Sequence, residues 1–381
     1  MIYKLKDHYR RVMTYQKDTI RIVTEYGPIE IPDSDGKIVA FLKLLDGNKR
    51  IEELSKFLSI SVAEIELGIR MLLKFRLLEC LDSDKDKSVF SDSELLRYKN
   101  NLSYFSLYET ESESRYTFQS RLKSTTVAII GLGGGSVIAA WLASMGVGKI
   151  IGIDYDIVEI GNLNRQMLYT EADVGRLKTD VVKERLHMLN SDTVVETIDQ
   201  KVDSTESILK VLRGADIVVG AIDWPLLYGS RFVNTACLRE NKPLFFAGLR
   251  HGSAFIHRIL PYQTGCADCF WITSLRSNES TLSFVNDVIN GVHTPQINPA
   301  FAPNIALLTS LVGSEIAKYI TKHSPIFPNP YTRIRLHDTE ISHHEVPRLL
   351  ECPSCGSHVA NLNEPTDLMT LITLSVQDDP R

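Results

Sequence analysis

A glycine turn with its downstream polar residues, and four cysteines in two pairs, are the parts of this chain whose types and spacing could do chemistry. Gly131-Leu132-Gly133-Gly134-Gly135 follows the apolar, β-branched run 126–130 and precedes the helix-forming stretch 136–145. A strand that runs into a glycine turn and then a helix lets the backbone approach a phosphate closely. The helix start offers that phosphate unpaired N–H groups and a positive dipole end. Asp154 closes the next apolar run, 150–153, about twenty residues on, where a carboxylate can accept from ribose hydroxyls; Asp156 stands just behind it.

The turn alone is a weak sign, because Ser136 occupies the place of the third glycine of a dinucleotide fingerprint. What sharpens it lies downstream, in Asn162-Leu163-Asn164-Arg165-Gln166, in Gly175-Arg176-Leu177-Lys178 and in Asp223. A nicotinamide enzyme has no need of an Arg, a Lys and a second Asp converging on the phosphates. Attack on an α-phosphate does need cations to offset the growing negative charge. The expected ligand is therefore ATP.

Cys266-Ala267-Asp268-Cys269 and Cys352-Pro353-Ser354-Cys355 are the second strong signal. Two C-x-x-C knuckles supply the four thiolates of a tetrahedral zinc site, and four thiolates leave no position open for water, so the expected zinc is structural. The pairs stand too far apart in sequence for a zinc ribbon and read as a staple joining distant segments. A redox pair or unpaired buried thiols are the alternatives. Cys237, among Phe232, Val233, Ala236 and Leu238, and Cys80, in the apolar run 77–81, read as inert core residues.

With these residues in place, the chain from about 125 to 355 resembles the E1-like adenylating enzymes, which include ubiquitin-activating enzymes and activators of sulfur-carrier proteins. The resemblance implies an α/β fold: a Rossmann-like adenylation domain with a mixed sheet and a structural zinc site. It assigns ribose to Asp154, phosphate contacts to Asn162, Arg165 and Lys178, and Mg²⁺ to Asp223 at the end of the run 217–223. With Gly131, Gly133, Gly134, Gly135, Asp156 and Gln166 these make the expected nucleotide site, and Arg165, Lys178 and Asp223 the expected catalytic set. The resemblance also implies a homodimer. Where many members carry an Arg upstream of the glycine strand, this chain reads Arg97-Tyr98-Lys99-Asn100, with Asn100 at the Arg position.

Composition agrees with a multidomain enzyme. At 381 residues two or three domains are expected, and an apolar fraction of 44% suffices for a sizeable core. A net charge of -5 argues against nucleic acid as a bulk partner. No run of eighteen apolar residues exists, and residues 1–11 are charged with no apolar segment following, so neither a membrane span nor a signal peptide is expected and the expected location is cytoplasmic.

The charged run 82–88 marks a boundary. Before it, 19–25 and 29–31 predict a hairpin, and apolar spacing predicts helices around Ile38–Leu45, Ile51–Leu58 and, behind the capping box Ser61-Val62-Ala63-Glu64, a third with Ile65, Ile69, Leu72 and Leu73 inward. With a closing strand at 77–81 this is a small winged helix. Its basic and acidic residues nearly balance, and the third helix carries Glu64 and Glu66 beside Arg70 and Lys74, so capture of an extended peptide on a sheet edge is expected in preference to DNA. The expected domains are 1–83, a winged-helix leader clamp; 84–124, linker and helix; 125–360, adenylation; and 361–381, a tail.

This arrangement is similar to a subgroup of E1-like enzymes that mature ribosomally made peptides, in which an N-terminal clamp holds the precursor's leader. Tyr104-Phe105-Ser106-Leu107-Tyr108, the 162–166 loop, Asp173-Val174-Gly175, Lys178-Thr179, Thr264-Gly265-Cys266 and Phe301-Ala302-Pro303 carry that likeness. It implies ATP, Mg²⁺ and zinc as cofactors, a precursor peptide held through its leader by residues 19–81, and adenylation of a peptide carboxylate, with glutamate side chains nominated, followed by cyclisation. Adenylation of the C-terminal Gly-Gly of a ubiquitin-like sulfur carrier is the rival. Arg250 and His251, after the strand 243–248, could orient a carboxylate or be plain surface residues. Trp224 could line the pocket or be buried. The stretch 274–298 is polar and broken by Gly291 and Pro295, and reads as a loop that closes over the substrate or equally as a disordered excursion; 368–374 reads as a packed helix or strand without chemistry.

Overall fold

The computed structural model describes residues 1–376 except 17, 25–26, 82–85, 111, 251, 293–298 and 358–361, and Arg250 by its backbone alone. The chain forms two compact units, Met1–Arg121 and Leu122–Arg381.

In the first unit, β1 (Ile2–Leu5) lies between β5 (Asp46–Arg50) and β6 (Leu78–Cys80), antiparallel to both. A separate antiparallel meander joins β2 (Met13–Gln16), β3 (Thr19–Thr24) and β4 (Gly27–Pro32). The expected hairpin is thus β3–β4, its register setting Ile20 against Ile31 and Ile22 against Ile29 so that one face is apolar. The expected closing strand does not extend that hairpin; it pairs with the first residues of the chain. The short, half-polar β1, β2 and β5 carry no clear period-2 signal, which is why the sequence pattern does not mark them.

Helices Lys37–Leu44, Ile51–Leu58 and Val62–Lys74 pack with these strands around Leu5, Ile20, Ile22, Leu42, Leu54, Ile65 and Ile69. Local chemistry starts two of them. The Asp33 carboxylate accepts from the Ile38 and Val39 N–H groups at 3.0 and 2.9 Å. Ser61 and Glu64 form the reciprocal capping box, Glu64 N–H donating to Ser61 Oγ at 3.3 Å and Ser61 N–H to Glu64 Oε2 at 2.9 Å.

The second unit is an eight-stranded mixed sheet, among the described residues, in the order β14-β13-β12-β11-β10-β7-β8-β9. These are β7 (Thr126–Ile130), β8 (Lys149–Asp154), β9 (Val194–Asp199), β10 (Ile217–Gly220), β11 (Leu244–Arg250), β12 (Ser253–Ile259), β13 (Tyr331–Arg335) and β14 (Glu340–His344). Strands from β11 through β9 run parallel, and β12 to β14 add an antiparallel wing beyond β11. From β7 the chain proceeds to β8 on one side and returns to β10 on the other. The order therefore reverses at β7, and a crevice opens at the carboxyl ends of β7 and β10. Buried Val127, Ala128, Ile129 and Ile130 show why β7 reads as an unbroken apolar run: it is covered on both faces.

The structure corrects one expectation. The stretch 274–298 is not a loop: helices Ala267–Ser277 and Glu279–Ile289 occupy most of it, with 293–298 outside the described residues. Its polar residues are the outer faces of those helices, while Trp271, Ile272, Leu275 and Val285 face a common core with Leu368 and Leu371 of the helix Leu368–Val376. The run 368–374 forms part of that last helix and packs, one of the two forms expected of it.

Candidate functional site

The glycine turn is shaped by contacts that leave no room for side chains. Gly131 has φ +92°, and a Cβ on it would fall 2.4 Å from the Ala221 carbonyl oxygen. Gly135 starts the helix Gly134–Met145 against β7, where a Cβ would meet Ile129 Cγ2 at 2.8 Å; Gly134 has nothing within 4 Å. Gly135 therefore takes the close helix–strand contact that the fingerprint gives to a third glycine, and it does not line the cleft. Ser136 is fully buried and its hydroxyl donates to the Gly133 carbonyl at 2.7 Å, so its presence costs the fold nothing there.

Asp154, 8% exposed at the end of β8, accepts three backbone N–H groups: Leu132 at 2.6 Å on Oδ2, and Tyr155 and Asp156 at 2.7 and 2.9 Å on Oδ1. The carboxylate thus ties the glycine turn to β8. A carboxylate has about four acceptor positions, which leaves one for a ribose hydroxyl.

Lys178 opens the helix Lys178–Leu189 and is drawn to the site by an antiparallel pairing of the two arms of the intervening loop. Val158 N–H donates to the Arg176 carbonyl and Gly175 N–H to the Val158 carbonyl, each at 2.8 Å. Asp156 then holds Lys178 twice, its carbonyl accepting the Lys178 N–H at 2.9 Å and its carboxylate the Nζ at 2.8 Å. Asp173 anchors the far end of the loop; burial would raise its carboxyl, but the Thr170 hydroxyl and Arg185 hold it down at about 2. Asn162 is buried and spends its Oδ1 on the Glu159 N–H at 3.1 Å. Arg165 is half-buried, bonded to the Gly161 carbonyl and Asn164 Oδ1 at 2.8 and 2.9 Å, and makes no ion pair among the described residues.

These residues border one cleft of about 300 Å³ at the crevice. Gly131, Gly133, Gly134, Asp154, Asp156, Asn162, Arg165, Gln166, Lys178 and Asp223 all line it, as does Trp224, which is 44% exposed rather than buried. The backbone of Arg250 ends β11 next to the lining residue Leu249; the Arg250 side chain and His251 lie outside the described residues. Sequence reading missed Tyr155, Gln200, Leu249, Ile305, Leu308 and Thr309. The last three come from the helix Ala302–Thr321, which crosses the glycine-turn helix with Trp141 Nε1 donating to Thr309 Oγ1 at 3.4 Å. No local motif marks such residues; only helix packing brings them in.

The four cysteines converge. Cys266, Cys269, Cys352 and Cys355 are buried with their sulfurs within 4.8 Å of one another, at 3.9 Å for Cys266–Cys269, 3.6 Å for Cys266–Cys352 and 3.4 Å for Cys269–Cys355. Thiolates at ~2.3 Å from one zinc would stand ~3.8 Å apart, so the set fits a Cys₄ zinc. Between the first pair, Asp268 forms a fully buried ion pair with Arg231, Nε to Oδ1 2.6 Å and Nη2 to Oδ2 3.1 Å, and accepts from Ser354 Oγ at 2.6 Å. Arg231 lies on the helix Tyr228–Arg239 that follows Asp223 and Trp224, so the staple is wired to the segment bordering the cleft. Cys237 on the same helix is fully buried, its thiol pushed up by burial, and has no access to an acyl group.

A family model described as the ThiF family matches residues 98–355. The sulfur carrier protein ThiS adenylyltransferase of Escherichia coli is 34% identical over 155 residues, 40% of this chain and 61% of that protein. A crystal structure of E. coli MccB with AMPCPP and MccA aligns with a TM-score of 0.73 at 24% identity, covering 93% of this chain and 100% of the other. A structure of PaaA aligns at 0.62 and 22% identity over 74% of this chain and 92% of the other. At these identities the likeness to both structures is one of fold.

Proposed function

From the premise that this chain belongs to the ThiF family of E1-like, ATP-dependent adenylating enzymes, we propose that it adenylates a carboxylate of a ribosomally made precursor peptide, captured through its leader, and that the adenylate closes a ring within the same peptide. The observation that carries this is the joining of a ThiF cleft to an N-terminal unit suited to holding a peptide. That unit has the elements of a winged helix, and among the described residues the outer strands of its two small sheets pair on one side alone. Leu67 and Met71, one turn apart on the outer face of the helix Val62–Lys74, and Phe75 at its C-cap are 54%, 56% and 48% exposed. An added strand would draw affinity from main-chain hydrogen bonds and register from such apolar positions.

In the cleft, Asp154 accepts a ribose hydroxyl, the Gly133 and Gly134 N–H groups meet the phosphates, and Arg165 and Lys178 balance the charge that grows as a peptide carboxylate attacks the α-phosphorus and pyrophosphate leaves. Asp223 would hold Mg²⁺, which supplies further positive charge at the phosphates. A nucleophile of the same peptide then displaces AMP, an intramolecular step favoured by proximity, with net loss of water; glutamate side chains are the acids we nominate. The enzyme acts as a homodimer in this reading. The likeness to a ThiS adenylyltransferase supports a second reading, activation of a carrier protein's C-terminal Gly-Gly.

Mass spectrometry with ATP, Mg²⁺ and a candidate precursor, with and without its leader, separates the two. Leader-dependent loss of water with AMP and pyrophosphate is the expected result; an adenylate on a Gly-Gly-ended carrier and no change in the peptide would overturn it. Asp223→Ala should abolish pyrophosphate release and leave leader affinity nearly unchanged, and loss of both would refute the two-module picture.

A further inference from the structure

We infer that Tyr169 is a positioning residue for nucleotide binding, holding the glycine turn in the orientation that presents N–H groups to a phosphate. The inference rests on the reading of the cleft as an ATP site. Tyr169 is 4% exposed and lies on the loop that carries Asn162, Arg165 and Gln166, its N–H donating to the Gln166 carbonyl at 3.1 Å. Its hydroxyl donates to the carbonyl of Leu132, in the middle of the glycine turn, at 2.6 Å.

The consequence follows from peptide geometry. In a planar trans peptide the C=O of one residue and the N–H of the next point in opposite directions. Tyr169 fixes the Leu132 carbonyl on the protein side, so the Gly133 N–H faces away from Tyr169, and Gly133 lines the cleft. One residue earlier the Leu132 N–H is fixed by Asp154 at 2.6 Å; one residue later the Gly133 carbonyl is fixed by the Ser136 hydroxyl at 2.7 Å. Three consecutive peptide planes are thus pinned by side chains. Glycine is the residue most able to flip such a plane, and flipping the Leu132–Gly133 plane would present a carbonyl oxygen to the phosphate in place of a donor. The Tyr169 bond closes that route. It also fixes the spacing between the turn and the loop bearing Arg165. Burial first, and the nearby Asp154 charge second, push the phenol well above its ordinary value, so it remains a donor at any working pH.

The test uses the full chain with Tyr169→Phe, which keeps the buried ring. ATP binding in the presence of Mg²⁺, by calorimetry, is expected to weaken about ten-fold. Without nucleotide, hydrogen exchange at the 131–135 amides should quicken while exchange in β7 stays as in the wild type, a local change that a merely structural role would not give. Wild-type ATP affinity together with wild-type exchange in the variant would overturn the inference. Failure of the wild-type chain itself to bind ATP would remove the cleft reading, and the inference with it.

Discussion

At the scale of single residues, the charges of the cleft divide into those held and those left available. Lys178 has 6% of its side chain exposed and is oriented by Asp156, whereas Arg165 is half-buried and bonded only to neutral acceptors. Asp156 is expected among the nucleotide contacts; its visible work is to hold and aim the buried Lys178 ammonium at 2.8 Å. Lys178→Ala should therefore lower ATP–pyrophosphate exchange by on the order of 100-fold or more, as loss of a preorganised charge donor does. Asp156→Asn should give a smaller loss, since it loosens the ammonium without removing it. Equal losses in both variants would instead place Asp156 in direct contact with the reacting groups.

Among the elements, the final helix and the segment before it are tied to the rest of the unit by both polar bonds and apolar packing. Glu364 reaches the N-terminus of the helix Thr205–Leu212, accepting the Thr205 N–H at 3.1 Å on each oxygen and the Thr205 hydroxyl at 2.8 Å. Arg231 donates to Thr366 Oγ1 at 3.2 Å, and Leu368 and Leu371 cover the helix that carries Cys269. Glu364→Gln should reduce stability by about 1 kcal/mol through the weakened cap. Deleting residues 362–381 should cost several-fold more, because it also uncovers Trp271, Ile272 and Leu275. Equal urea midpoints for the deletion and the full chain would show the segment to be dispensable.

Taken whole, the adenylation unit is held by the sheet at its centre and by the cysteine staple at one margin. The four thiolates draw together the segments 266–269 and 352–355, and the Arg231–Asp268 pair extends that junction to the helix behind the cleft. Metal analysis of the purified chain should give one zinc per chain. Stripping it with a chelator should destabilise the second unit by on the order of 5 kcal/mol or more, read as a lowered melting temperature restored by zinc. Iron in its place, or a melting temperature indifferent to the chelator, would contradict a structural zinc. Among the described residues no helix is long and apolar enough to cross a membrane.

Sequence alone determined the parts whose chemistry is local. The β7–glycine–helix succession, the Ser61–Glu64 box and the paired cysteines each depend on residues close in the chain, and their types leave few physical alternatives. The tertiary structure decided what depends on distant partners. It paired the closing strand of the first unit with β1, made helices of 274–289, and brought Thr309 from the far helix into the cleft. It also gave Asp154, Ser136 and Tyr169 their shared hold on one turn. Such contacts carry no sequence period, because they are set by where strands and helices come to rest against one another, and that is fixed only when the whole core packs.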